Sequence, residues 1–160
     1  MARWFIVNVA DAPAQRHAVA GSYVPFEADD DRFEDYGINI HVLQPGQPNA
    51  KYHSESAQED FLVLFGECVA IIEDEEHRLR AWDFVHCPAG TNHVFIGGGD
   101  GPCAILMVGS RRPGRTVHYP VSGLAARYGA SAAQPTSEGR EAYADWSHDL
   151  EETRLKWPPE

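Results

Sequence analysis

The segment from His53 to Glu59 holds one imidazole and two carboxylates, Glu55 and Glu59, directly ahead of the apolar run Phe61–Phe65. Side chains two apart on an extended segment point the same way, so His53 and Glu55 share a face, with Glu59 a short turn later. Imidazole and carboxylates gathered on one face make a donor set for a divalent cation such as iron, manganese, nickel or zinc. A further histidine, His93, lies in PAGTNHVF, after a turn formed by Pro88 and Gly90 and at the head of a strand-like run. Polar residues in a single loop are ordinarily just solvated. The second stretch is what turns the first into a candidate site.

His53, Glu55, Glu59 and His93 together offer two nitrogens and two carboxylates, a mixture that does not choose among those metals. If Glu55 stays off the ion, two histidines and one carboxylate leave open positions, where iron can hold a substrate and dioxygen side by side. Glu55 is then the candidate general base, placed beside a metal-bound substrate. If Glu55 binds, the second carboxylate neutralises the cation and weakens it as a Lewis acid. Phe95, two residues from His93, should share its face and keep the pocket apolar. Tyr52 should point away from His53 and pack elsewhere, and Cys87 reads as a small buried hydrophobe. His41 reads as a wall residue. No GxSxG elbow or Cys–His dyad with an orienting group is present, so nucleophilic catalysis has no candidate.

The elements that must position these residues are short strands. Phe61–Phe65, Cys68–Ile72, His77–Leu79, Phe84–Cys87, His93–Ile96 and Cys103–Val108 are β-branched or aromatic and separated by brief breaks. Ile38–Leu43 precedes them and ends at the turn dipeptide Pro45-Gly46. Repeated short strands with turn signals between them predict an all-β sandwich or barrel. The glycine-rich run Gly97–Gly101 has no helix after it and is expected to be a hairpin turn, not a phosphate cradle. Trp4–Val9 is expected to be a strand able to pair with another subunit. Asp29–Asp31 reads as a solvated acidic loop, because Glu34 stands where a calcium loop needs glycine.

Beyond Tyr119 the pattern changes. Val121, Leu124, Ala125 and Tyr128 recur at helical spacing, with Ser122 to cap the start and Gly129 to end it. A small-residue linker follows, and Glu141–Trp146 is expected to form a second short helix. The tail carries no evident chemistry and is expected to cover a barrel end, an edge strand or a dimer interface.

The two histidine-bearing stretches resemble the paired motifs of the cupin superfamily, over roughly the middle half of the chain. The first family motif runs glycine, spacer, His-x-His, glutamate, glycine. Gly46, His53, Glu59 and Gly66 match it, with Glu55 where the second histidine is usual. In the second motif Pro88, Gly90 and His93 match, while Trp82 replaces a glycine and Gly97 an asparagine. The resemblance implies a double-stranded β-helix (jelly-roll) barrel with a metal at its centre, held by His53, Glu59 and His93. It implies one cupin domain over residues 1–160, with a barrel core at about 37–110 and a short C-terminal helical extension at about 119–160. A homodimer is the family's common form. The function implied is a metal-dependent enzyme acting on a small organic molecule, of oxygenase or isomerase/lyase type. The alternative is a non-catalytic cupin that binds a small ligand or a metal.

Composition narrows the partners. The 160 residues carry a formal net charge of −11, with a pI near 5.1, which argues against nucleic acid or an anionic membrane surface. The three cysteines, Cys68, Cys87 and Cys103, have no metal-like spacing and suit a reducing cytosol. The apolar stretch near the start is too short for a secretory core, so a cytoplasmic location is expected.

Overall fold

A computed structural model describes residues 4–28 and 31–160. In chain order the strands are β1 (Ala14–His17), β2 (Gly21–Val24), β3 (Tyr36–Leu43), β4 (Ser54–Glu55), β5 (Glu59–Phe65) and β6 (Glu67–Ile72). They continue with β7 (Glu75–Arg80), β8 (Phe84–Cys87), β9 (His93–Gly97), β10 (Cys103–Ser110) and β11 (Val117–His118). Two one-turn helices, α1 (Gly123–Ala126) and α2 (Gly139–Ala142), precede the last strand, β12 (Leu150–Thr153). The large sheet has the order β12-β1-β2-β3-β10-β5-β8, and a smaller one the order β7-β6-β9. All pairings are antiparallel. This is the all-β, double-stranded β-helix expected, with its short C-terminal helical extension.

The core lies between the two sheets. Leu43, Phe61, Val63 and Ile105 from the large sheet meet Cys68, Ala70 and Phe95 from the small one. The chain crosses between sheets at Gly66, whose φ of +71° favours glycine and where an added Cβ would lie 2.4 Å from the Pro102 carbonyl oxygen. It crosses again on either side of β8, and a last time after Gly97. The run Gly97–Gly101 is therefore not a hairpin: β9 pairs with β6, whereas β10 pairs with β3 and β5. Close packing explains the small residues, since a Cβ on Gly97 would sit 2.1 Å from the Gln44 carbonyl oxygen.

The small sheet is apolar on both faces. Its outer side, through Ile71, Val94 and Ile96, packs with Tyr52 against Ala125 and Ala130 of the extension. Tyr52 thus points away from the His53 side chain. Ser122 caps α1, its hydroxyl accepting from the Ala125 N–H at 3.1 Å, and Gly129 ends the helical turn at φ +67°. The second helix lies a little earlier than expected, at Gly139–Ala142.

Trp4–Val9 is not a strand. The nearest strand in sequence, β1, is already paired on both sides, by β2 and by β12 in register from Ala14–Thr153 to His17–Leu150. Trp4 and Ile6 remain largely exposed, and Phe5 stacks on Phe33. Asp29 and Asp30 lie outside the described residues, and Asp31 forms a bridge with Ala28. Among the described residues, no helix is long and apolar enough to cross a membrane.

Candidate metal centre

His53 and His93 are neighbours through the backbone. Each donates its N–H to the other's carbonyl, at 3.1 and 2.8 Å, which seats both imidazoles on the barrel side of β9. Each ring is then oriented by a local carbonyl. His53 Nδ1 donates to the Lys51 oxygen at 2.7 Å, and His93 Nδ1 to the Thr91 oxygen at 3.0 Å. A carbonyl can only accept, so both rings keep Nε2 as the free lone pair, as metal-ligating histidines do. Glu59 arrives from the head of β5, with Oε2 at 3.3 Å from His93 Nε2. One donor atom from each of His53, Glu59 and His93 lies within 4.8 Å of the others. Small side-chain adjustments bring such a set onto one ion.

The electrostatics describe a group waiting for positive charge. Burial, and then the nearby Glu55 carboxylate, push Glu59 up to about 8, with Arg115 opposing. Burial, and then the neighbouring His53, push His93 down to about 4. Burial also lowers His53. The 3.3 Å contact therefore joins two neutral groups at neutral pH, and counts as packing, not as an ion pair. A bound divalent cation reverses the preference of Glu59 and draws off its proton.

Glu55 is not part of this group of three. It does turn inward, with only 12% of its side chain exposed, but it pairs with Arg115 at 2.5 Å. Arg115 is held nearby by the pairing of β11 with β4 and by the Thr116 N–H donating to Ser56 Oγ. Both residues line the same cavity as the three donors, about 290 Å³ in volume. Phe61 and Met107 supply apolar wall, and Phe95 packs behind Phe61 at 4.4 Å between ring centres. Cys87 is buried, as expected.

Sequence reasoning passed over Arg115, Lys51 and Tyr119. Tyr119 sits 5.8 Å from the His53 ring. Lys51 is wholly buried, and its ammonium donates to the Gly129 and Ser131 carbonyls and to Asp145, beside the Trp146 ring. Its own carbonyl orients His53, so the extension is tied to a candidate ligand through one residue. Lys51 next to Tyr52-His53 was a weak local signal; its partners lie too far along the chain to be read.

Residues 39–109 match the cupin domain family. Three solved structures share the fold. A sugar phosphate isomerase of the cupin superfamily from Silicibacter pomeroyi is 21% identical, covers 95% of this chain and 82% of its own, and has a TM-score of 0.55. The polyketide cyclase RemF from Streptomyces resistomycificus is 18% identical over 71% of this chain and 84% of its own, at 0.59. A protein provisionally named as a sugar phosphate isomerase, from Acidithiobacillus ferrooxidans, is 23% identical over 60% of this chain, at 0.53. The match spans 64% of that last protein's length, under two thirds. No curated protein matches the sequence. At these identities the three likenesses speak to fold. Residues 39–109 thus carry a cupin domain, and the barrel around it has the fold of the cupin superfamily.

Proposed function

We propose that this chain is a metal-dependent cupin enzyme acting on a small organic molecule, of oxygenase or isomerase/lyase type. His53, Glu59 and His93 would hold a divalent iron, manganese, nickel or zinc ion, and Glu55 would serve as the acid–base group. The observation that carries this reading is the clustering of those three donor atoms within 4.8 Å, with both imidazoles oriented by backbone carbonyls. When bound, such an ion supplies Lewis acidity and open coordination positions. The remaining work falls to the chain. Phe61 and Met107 limit water at the site. Arg115 holds the Glu55 carboxylate at the cavity edge, where it faces an entering ligand and can take or give a proton. One domain over residues 1–160, a homodimer and a cytoplasmic location belong to the same proposal; the exposed Trp4 and Ile6 favour a partner surface.

Metal content of protein purified without chelators and under anaerobic conditions is the first test. Iron supports oxygen chemistry, and zinc or nickel supports the isomerase or lyase branch. No bound metal and no uptake on titration removes the proposal. Glu55→Gln then assigns the second carboxylate: lost metal affinity marks a ligand, retained metal with lost turnover marks a base. Glu55→His, the family's usual residue, should preserve or strengthen binding.

A further inference from the structure

The strands β3, β10 and β5 run side by side along the cavity, and their register sets its wall. In the row of Glu59 the neighbours are Gly109 and Gly37, with the Arg111 guanidinium lying over Gly37, 3.4 Å from where a Cβ would stand. In the next row Asn39 lies across Met107 from Phe61, and one row further His41 lies across Ile105 from Val63. Asn39 and His41 are two apart on one strand and face the same way. Both line the cavity that holds His53, Glu59 and His93.

The Asn39 side-chain oxygen and His41 Nδ1 are shielded from solvent and have no hydrogen-bond partner among the described residues. Buried polar atoms are nearly always paired, because leaving one unpaired forfeits its hydration. Two such atoms on one strand, on residues that line one cavity, mark a place for a partner that enters it. The amide oxygen only accepts, so that partner must bring an O–H or N–H. His41, stacked on Tyr23 and kept neutral by burial, can accept or donate there according to its tautomer.

Charge narrows the partner further. The cavity has two cationic side chains, and both are committed. Arg111 donates to both oxygens of Glu27 and to the Phe33 carbonyl, and Arg115 pairs with Glu55. Nothing along β3 compensates a phosphate or carboxylate. Neighbouring strands are about 4.8 Å apart, so β3 and β5 are separated by roughly 10 Å, a span that a short molecule can bridge.

We propose that Asn39 and His41 form a hydrogen-bonding subsite for an uncharged, polyhydroxylated small molecule whose other end reaches the His53–Glu59–His93 group. This rests on reading the cavity as the substrate site, and it sets the substrate class apart from phosphate esters. The test is ligand-observed NMR titration of erythritol, xylose and ribose 5-phosphate into the full chain, as purified and after chelation, with metal uptake measured on the same samples. Xylose or erythritol should bind in both states, and ribose 5-phosphate should be at least about tenfold weaker after chelation. Asn39→Leu and His41→Phe should each weaken the uncharged ligand about tenfold or more. Asn39→Leu, freed of an orphaned acceptor, should melt no lower than the parent chain. If His41→Phe misfolds, Asn39→Leu decides alone. Failure of both uncharged probes at tens of millimolar, equal binding of the phosphate ester, or unchanged affinity in the variants overturns the subsite. Polyol binding without metal uptake would keep the subsite and remove the metal reading; metal uptake without polyol binding would do the reverse.

Discussion

Replacing Glu59 by glutamine should abolish the proton that metal binding releases. With its pKa pushed up to about 8, Glu59 is roughly 90% protonated at pH 7 and nearly fully so at pH 5.5. His93, near 4, carries little proton over the same range, and burial shifts His53 in the same direction. Loading an ion therefore displaces about one proton, from Glu59, at both pH values. Affinity should fall about tenfold per pH unit from pH 7 to pH 5, or about 1.4 kcal/mol per unit. Unshifted groups behave differently. An ordinary carboxylate would release almost nothing, and two ordinary imidazoles would release about half a proton at pH 7 and nearly two at pH 5.5. Calorimetric titration of nickel into chelator-stripped protein, in buffers of different ionisation enthalpy, counts the protons directly. The expected count is about one at both pH values, and about zero in Glu59→Gln. A count near two at pH 5.5, or near zero at pH 7 in the parent chain, would refute the reasoning.

Further outcomes follow from other residues. The metal-free protein should be most stable near pH 6.5. Below that, His41 and His93, with folded values near 4 against 6.5 unfolded, lose stability as the unfolded chain takes up two protons. Glu59, raised from 4.5, opposes one of these between pH 4.5 and 6.5 and costs stability as pH rises from 6.5 towards 8. The net slope is about 1.4 kcal/mol per unit on either side, read from urea midpoints, and metal should flatten the alkaline limb. A steady rise to pH 8 without metal would contradict this. Lys51→Met should destabilise by about 2–4 kcal/mol, because it strips a charged donor from two carbonyls, whereas Asp145→Asn, 66% exposed, should cost under about 1 kcal/mol. Equal effects would show that the ion pair, not the carbonyl contacts, dominates. Trp82→Gly should stabilise by about 0.5–1 kcal/mol, since Trp82 is held at φ +76° with its ring exposed, where the family has glycine. A lower melting temperature would mean that the exposed ring packs in a way the described contacts do not reveal.

Much of the barrel was legible because its signals are local. Short β-branched runs, and turn glycines at Gly46, Gly66 and Gly90 with φ of +83°, +71° and +88°, announce strands and their ends within a few residues. Period-two alternation placed Glu55 on the inward face with His53. What alternation could not carry is which strand lies beside which. It read Gly97–Gly101 as a hairpin because sequence neighbours usually pair, and tertiary closure sent β10 to the other sheet. It read Trp4–Val9 as a strand because the composition fits, but a strand needs a partner, and the nearest one, β1, is paired on both sides, by β2 and by β12 from the far end of the chain. The candidate site divides in the same way. The residue types at positions 53, 55, 59 and 93 are written in the chain, whereas Arg115 reaching Glu55 and Asp145 reaching Lys51 join residues 60 and 94 positions apart. A side chain's face is set by its own backbone, but its partner and its protonation are set by whatever the folded barrel brings against it.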